Sequence, residues 1–406
     1  MSLVYSFVLA LTAVFIFPVI SAYPSHNTKV LTRAITGRYI IGFKDSIDSI
    51  AHVQWADSIH KRNVVRRDGS EPLSGIETMF RRINAYVGHF DPATIETIKA
   101  NPDVVYVEED QIFEMSQIES SSALITQTNS TWGLDMISHR EPNVTGYVYD
   151  NTAGEGHYGY VLDSGINIEH VEFGGRASLG YNAVGTPETH YDHSGHGTHV
   201  AGTIGSTTYG VAKRSSLISV KISNETGYYF SGMIDGLDWA LEDAINNDRV
   251  NRSVINISGG GPYSTAVANA CLQVYREGIT IVAAAGNGNR TTTWQSPAGN
   301  TGVIAVASVD HNRKRAPLSN WGPVITIFAP GEDTLSTWIG SATATHVTNG
   351  TSMAAPHVAG TALYLQKLEG LSTPDEVRER LIELSTKDVV KDPQGSPNRL
   401  LYNGAA

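Results

Sequence analysis

An α/β fold, a mostly parallel sheet with helices on both faces, is predicted for most of this chain, preceded by a small α+β module. Three observations predict it. Short apolar runs that suit buried strands alternate with segments of helical spacing from about Tyr158 onward. Glycine is abundant, 39 of 406 residues, which suits many tight strand–helix turns. With 41% hydrophobic against 17% charged residues, the chain can bury a sizeable core.

The elements follow in order. Met1–Ala22 reads as a signal peptide: Val8–Ile20 is an apolar run, and Val19-Ile20-Ser21-Ala22 ends in a small-x-small pattern. Its n-region carries no Lys or Arg, and the rival reading is an uncleaved anchor, for which the stretch is short. The α+β module runs from Arg38 to Glu114. Tyr39–Phe43 is predicted as a strand, and Ile47–Ile59 as a helix capped by Ser46. Ala85–Phe90 is a second strand. Asp91-Pro92 opens a helix through Ala100, with Pro at the first helical position. Val104–Val107 is a third strand, running into the acidic Glu108-Glu109-Asp110. Polar residues 116–122 read as a linker. Beyond it, strands are expected at Tyr158–Leu162, Leu217–Ile222, Ser253–Ile257, Thr280–Ala285 and Gly302–Val306. Helices are expected at Phe230–Asn246 and Thr265–Glu277. This divides the chain into 1–22, 23–120 with a core at 38–114, and 121–406.

Bulk charge narrows the function. A net charge of −11 with no long basic run excludes nucleic-acid binding, and no second segment is apolar enough to span a bilayer. The one cysteine, Cys271, rules out an intramolecular disulfide and reads as a packing residue on a buried helix.

Four distant segments carry chemistry. Asp163 ends an apolar strand, where open parallel sheets place their sites. His196 lies between glycines before the small-residue run Val200-Ala201-Gly202. Ser352 opens a helix whose N-terminus favours developing negative charge. Asn287 follows a buried strand and a glycine, placed to donate its amide to an oxyanion. An imidazole base fixed by a carboxylate is what a serine hydroxyl needs to become a nucleophile. Taken singly, each segment has a bland reading: Asp-Ser-Gly is a turn, and Asn287 a turn former. His196 and His199 have no evident third ligand at metal spacing, so no metal site is expected and His199 is read as a structural hydrogen bonder. Gly350-Thr351-Ser352-Met353-Ala354 is not the Gly-x-Ser-x-Gly elbow of esterases.

The order Asp, His, Ser, with these surroundings, resembles the subtilisin-type serine peptidases, in particular the proteinase K and fungal vacuolar or secreted branch. Thr131-Trp132-Gly133-Leu134, Tyr209-Gly210-Val211-Ala212-Lys213 and Ile327-Phe328-Ala329-Pro330-Gly331 also match. The likeness extends from about Thr126 to the C-terminus, and Arg38–Glu114 is similar to the family's inhibitory propeptide. The resemblance implies a subtilisin-like fold and an endopeptidase that processes its own precursor between Phe113 and Ile125. Asp163 would orient the imidazole, His196 would be base and acid, Ser352 the nucleophile, and Asn287 with the Ser352 amide the oxyanion hole. Substrate would lie as an extra strand between the stretch at Thr226, Gly227 and Tyr228 and that at Ser258, Gly259 and Gly260. Ser258–Gly261 and Ala284, Ala285 and Gly286 would wall an uncharged first pocket, favouring apolar or aromatic residues before the cut. Protein and peptide substrates and the chain's own propeptide are the expected partners, with no nucleic acid, no membrane, and a monomeric state. The rival is a catalytically idle peptide-binding or chaperone-like relative; an α/β-hydrolase fails on chain order.

The pattern breaks in places. Ser-Leu-Gly-Gly of the family is Ser258-Gly259-Gly260-Gly261 here, which should open or reshape the fourth subsite. A small residue is usual near Tyr228, so neighbouring subsites should narrow. No cofactor is expected for catalysis. A structural calcium is implied by the branch, but its Asp ligand is replaced by Thr326. Seven Asn-x-Ser/Thr sequons occur. Asn143, Asn251 and Asn289 are the better glycosylation candidates, Asn129 and Asn224 follow, and Asn256 and Asn349 fall in site segments. His52, His60 and His89 are read as ordinary surface residues rather than pH sensors. Secretion is expected, with the vacuolar lumen as the alternative.

Overall fold

The computed structural model describes residues 33–44, 46–64, 74–113, 118–119, 130–186, 189–224 and 227–404. The expected signal peptide, the boundary near residue 120 and most of the expected linker and processing interval lie outside them. Residues 31–406 make one compact unit.

The leading module is β1 (Arg33–Phe43), α1 (Ser49–Val64), β2 (Gly75–Phe80), β3 (Ala85–His89), α2 (Pro92–Lys99) and β4 (Val104–Phe113). Its antiparallel strands run in the order β2-β3-β1-β4. Successive side chains of a strand face opposite ways. Ile41 and Phe43 therefore meet Ala56, Tyr86, Phe90, Ile95 and Ile98 in the module's own core. Ile40, Phe80 and Val87 face the other way and join the main core of the protein. Asp91 caps α2 by accepting the Ala93 and Thr94 amides, with Pro92 opening the helix. Three expectations change. The cap of α1 is Asp48, which takes the Ile50 and Ala51 amides, and not Ser46. β2 was not foreseen, because it is buried only at its two ends and shows no clean alternation. His52 and His60 are buried rather than on the surface, and His52 stacks on Phe43 with ring centroids 4.7 Å apart.

The main body begins with β5 (Ile118–Glu119), α3 (Trp132–Ser138), β6 (Tyr158–Asp163), β7 (Ala177–Asn182), α4 (His196–Gly205), β8 (Ser216–Lys221), β9 (Ser223–Asn224), β10 (Gly227–Tyr229) and α5 (Phe230–Asn246). It continues through β11 (Ser253–Ile257), β12 (Gly261–Pro262), α6 (Thr265–Arg276), β13 (Thr280–Ala284), β14 (Gln295–Ser296), β15 (Val303–Val309) and β16 (Ile327–Pro330). It ends with β17 (Thr334–Thr337), β18 (Thr345–Asn349), α7 (Thr351–Glu369), α8 (Pro374–Leu384), β19 (Thr386–Lys387) and β20 (Arg399–Leu400).

Nine of these strands form one sheet in the order β19-β20-β16-β15-β13-β11-β6-β8-β7. Every pairing in it is parallel except β19 with β20. The period of two divides its residues between two cores. Tyr160, Leu162, Ile255 and Ile281 meet Met233 and Leu237 of α5 and Val274 of α6 on one face. Val161, Val254, Val282 and Ile304 meet Val200 of α4 and Val358 and Leu363 of α7 on the other. Both faces being covered explains why the strands read as continuous apolar runs. From β6 the chain builds outward through β8 and β7 on one side and through β11, β13, β15 and β16 on the other. The carboxyl ends of β6 and β11 flank that reversal, where such sheets open a crevice.

β10 sits between β9 and β4, so a strand of the leading module extends a short antiparallel ribbon of the main body. Tyr228 pairs with Phe113 and Tyr229 with Ile112. Among the described residues no helix is long and apolar enough to cross a membrane.

Candidate active site

Asp163 closes β6, fully buried. His196 is the first residue of α4. Its Nδ1 lies 2.7 Å from Asp163 Oδ1. A carboxylate accepts only, so Nδ1 carries the proton and Nε2 is the basic nitrogen. Burial opposes the imidazolium, yet the Asp163 charge and hydrogen bond, with Asp192 behind them, outweigh it and raise the His196 pKa.

Asp192 was missed in the sequence and organises this corner. Its Oδ1 accepts the Ser164 hydroxyl at 2.9 Å and the Ser194 and Gly195 amides at 3.0 and 2.9 Å. Its Oδ2 accepts the Thr198 amide and hydroxyl at 2.9 and 2.6 Å. A carboxylate thus caps the helix that His196 begins. The available signal was an Asp three residues before a Gly-His, a local turn pattern. Gly195 stands at φ +86 with the Trp338 ring where a Cβ would be, so only glycine fits. Lys221 ties the loops together from below, its Nζ donating to the Ser164 and Tyr191 carbonyls at 2.6 and 2.8 Å.

Ser352 is the second residue of α7, fully buried. Gly350 ahead of it holds φ +136, which suits glycine. Pro356 has no N–H, so the Ser352 carbonyl loses its helical donor. Ser258 Oγ supplies the replacement at 2.8 Å. In return Ser352 Oγ donates to the Ser258 carbonyl at 2.8 Å. Among the described residues His196 Nε2 has no hydrogen-bond partner. Ser352 Oγ and His196 Nε2 therefore share no direct hydrogen bond. Asn287 Oδ1 accepts the Thr351 amide and hydroxyl at 2.9 and 3.0 Å, which fixes the amide's orientation and leaves its NH₂ as the donor end.

The expected substrate segments also converge. Gly227 and Tyr228 lie in β10, and Thr226 lies outside the described residues. Gly259 is packed against Tyr228: a Cβ there would stand 2.9 Å from the ring. An aromatic ring thus occupies the space beside Gly259. Gly260 adjoins the Ser296 carbonyl. Ala284 and Ala285 are buried, and the Gly286 amide is held by Thr351 Oγ1 at 3.0 Å.

His199 is buried, its Nε2 facing the Thr334 and His346 carbonyls at 2.9 and 3.2 Å, and burial pushes its pKa down to about 3. It stays neutral and structural. Among the described residues no group of three or more His, Cys, Asp or Glu could hold a metal ion. Thr326 spends its hydroxyl on the Ala305 amide at 3.2 Å. The cavity near it, of ≈ 530 Å³, is lined by Arg378 and Arg399, and Arg378 donates to the Val303 carbonyl at 3.1 Å. Cys271 is buried and its pKa is pushed up to about 12, which suits packing. Of the sequons, Asn143, Asn251 and Asn289 are exposed and Asn224 is half-buried, while Asn256 and Asn349 are buried. Asn289 also accepts from Arg315 at 3.0 Å. Asn129 lies outside the described residues.

Comparison with known proteins places the chain in a family. Residues 160–400 match the subtilase family, and residues 38–116 match peptidase inhibitor I9. The chain is 48% identical over 398 residues to "Alkaline protease 1" of Aspergillus clavatus, covering 96% of this chain and 97% of that protein. It is 48% identical over 378 residues to "Alkaline proteinase" of Hapsidospora chrysogena, covering 91% and 92%. A crystal structure of a cold-adapted subtilisin-like serine proteinase superposes with a TM-score of 0.64 at 39% identity, covering 69% of this chain and all of that one. The chain belongs to the subtilase family of serine endopeptidases and carries a peptidase inhibitor I9 propeptide ahead of its catalytic body.

Proposed function

We propose that this chain is the precursor of a secreted endopeptidase that matures itself and cuts proteins by an acyl-enzyme mechanism. The observation that carries the reading is the 2.7 Å contact between His196 Nδ1 and Asp163 Oδ1, which leaves Nε2 as the basic nitrogen. Ser352 Oγ turns from the Ser258 carbonyl toward His196 Nε2 and gives up its proton as it attacks the peptide carbonyl. Asp163 stabilises the imidazolium that forms. The oxyanion is received by the Asn287 NH₂ and the Ser352 amide. The imidazolium then protonates the leaving amine, and water repeats the cycle on the acyl-enzyme.

Substrate takes the outer edge of β10, which β4 occupies in the precursor. Main-chain pairing there accepts many sequences. The walls at Ser258–Gly261 and Ala284–Gly286 bring no charge, which favours apolar or aromatic residues before the cut. The same pairing explains inhibition: β4 fills the edge until the chain is cut in the interval from Phe113 to Ile125. The divisions are 1–22, 23–120 and 121–406. Secretion rests on the apolar leader, with the vacuolar lumen as the alternative destination. Asn143 and Asn251 are the glycosylation sites whose exposure suits the modification. The mature enzyme acts as a monomer and needs no cofactor for catalysis.

The test is the intact mass of the expressed chain beside that of Ser352→Ala. Loss of roughly the first hundred residues in the wild type alone supports self-processing by Ser352. Full-length, folded protein in both sinks it and favours an idle peptide-binding relative.

A further inference from the structure

Tyr228 stands at the centre of β10, fully buried, with its backbone paired to Ser223 on one side and Phe113 on the other. Its ring lies on Gly259. A Cβ added to Gly259 would come within 2.9 Å of Cζ, 3.0 Å of Cε1 and 3.2 Å of Cε2. A side chain at 259 and this ring cannot both hold these places. The glycine and the tyrosine are therefore one paired exchange, not two independent departures.

The far end of the ring reaches the catalytic pair. The phenol oxygen is 3.4 Å from His196 Nδ1. That nitrogen already directs its proton to Asp163 Oδ1, which also takes the Ser164 amide at 2.7 Å. The imidazole edge thus has no second proton to give, whereas the phenol has one. Asp163, whose Oδ1 lies 2.7 Å from the same nitrogen, is the carboxylate beside it, and among the described residues its Oδ2 has no hydrogen-bond partner, which leaves an acceptor open to the phenol. Burial first, and then the Asp163 charge, hold the phenol protonated far above neutrality.

We infer that Tyr228 is a positioning residue for the Asp163–His196 pair, its hydroxyl bracing the carboxylate against the imidazole edge in the space that Gly259 leaves. The inference rests on the acyl-enzyme reading of Asp163, His196 and Ser352. Two consequences follow from the chemistry. A phenol donating to a carboxylate lowers that carboxylate's basicity, so it holds down the stability of the imidazolium. It also restricts how the imidazole can swing, which matters only once Ser352 transfers its proton. Substrate docks through the Tyr228 backbone and not its hydroxyl, so removing the hydroxyl should spare binding.

The experiment compares mature wild type and Tyr228→Phe on one peptide substrate across pH, beside Ser352→Ala freed of its propeptide by an added protease that is then removed. The expected result for Y228F is a kcat lower by about three- to tenfold, in line with one hydrogen bond. KM should stay within about twofold. The acid limb of kcat/KM should move upward, because the unbraced carboxylate becomes more basic. A kcat and pH profile equal to wild type overturn the proposal. If Y228F does not mature, the His196 ring is titrated by NMR in the Ser352→Ala precursor with and without Y228F. An upward shift supports the proposal, and coincident titrations overturn it. Proteolysis that survives in S352A overturns the acyl-enzyme reading itself. A dead S352A beside a wild-type-like Y228F removes the Tyr228 role alone.

Discussion

Glu108 Oε1 accepts the Ala266 amide at 2.5 Å and the Ser264 hydroxyl at 2.9 Å, so a carboxylate of the propeptide caps a helix of the catalytic body. Asp110, two residues on, takes the Ser231 amide at 3.2 Å at the head of α5, which has no side-chain cap of its own. The same carboxylate is paired with Arg38 at 2.9 Å. One strand thus neutralises the positive ends of two helices while its edge pairs with β10.

Replacing Glu108 by Ala should weaken inhibition by a separately added propeptide. Charged hydrogen bonds of this kind are worth about 1.5–3 kcal/mol, so the inhibition constant should rise roughly 10- to 100-fold. Progress curves against the mature enzyme would read it.

The same contact predicts a pH dependence. Burial raises the Glu108 and Asp110 pKa values in the docked state. Docking then takes up protons, so affinity is highest below the ordinary carboxylate range and falls as pH rises through the raised values. Inhibition constants measured from acid to neutral pH should increase, and the slope should flatten in Glu108→Gln. An inhibition constant that falls with pH would contradict this.

Asn287→Ala should lower kcat by about 100- to 1000-fold with little change in KM, because the lost donor acts on the oxyanion and not on the bound peptide. Burst kinetics with an activated ester would separate slow acylation from slow deacylation.

The acid limb of activity should lie above the ordinary imidazole range, since His196 is held protonated by Asp163 against the cost of burial. Only the neutral ring can take the Ser352 proton, so turnover should climb from neutral into alkaline pH. A kcat/KM plateau already reached well below neutrality would contradict it.

Gly259→Leu should destabilise the protein by about 1–3 kcal/mol through collision with the Tyr228 ring. Adding Tyr228→Gly should recover most of that loss. Thermal melts of the two single variants and the pair would show whether the sites are coupled.

Excess chelator should barely move the melting temperature. Thr326 stands where the family's Asp ligand would be, and its hydroxyl oxygen accepts the Ala305 amide. A large drop on chelation would restore calcium as a structural ligand.

Much was legible in the amino-acid order alone. The strands ending at Asp163 and Ala284 and the helices at Phe230 and Thr265 were placed within a residue or two, because doubly covered parallel strands are apolar throughout. Asp163, His196, Asn287 and Ser352 could be picked out as candidates only together, because their order and surroundings resemble a known family while each segment alone reads blandly. β2 was invisible because its middle is only partly buried, and Asp48 rather than Ser46 caps α1 because either side chain suits the local sequence.

The order of the proposed catalytic residues Asp163, His196 and Ser352, and the family it points to, were therefore legible in the sequence, since short segments of fixed composition carry them. What only the tertiary structure decided is contact between residues far apart in the chain. Examples are Ser258 replacing the donor that Pro356 lacks, Glu108 on Ala266, and Tyr228 filling the space over Gly259. The two hydrogen bonds span 94 and 158 positions, and no local pattern reports a neighbour that only the folded chain brings within reach.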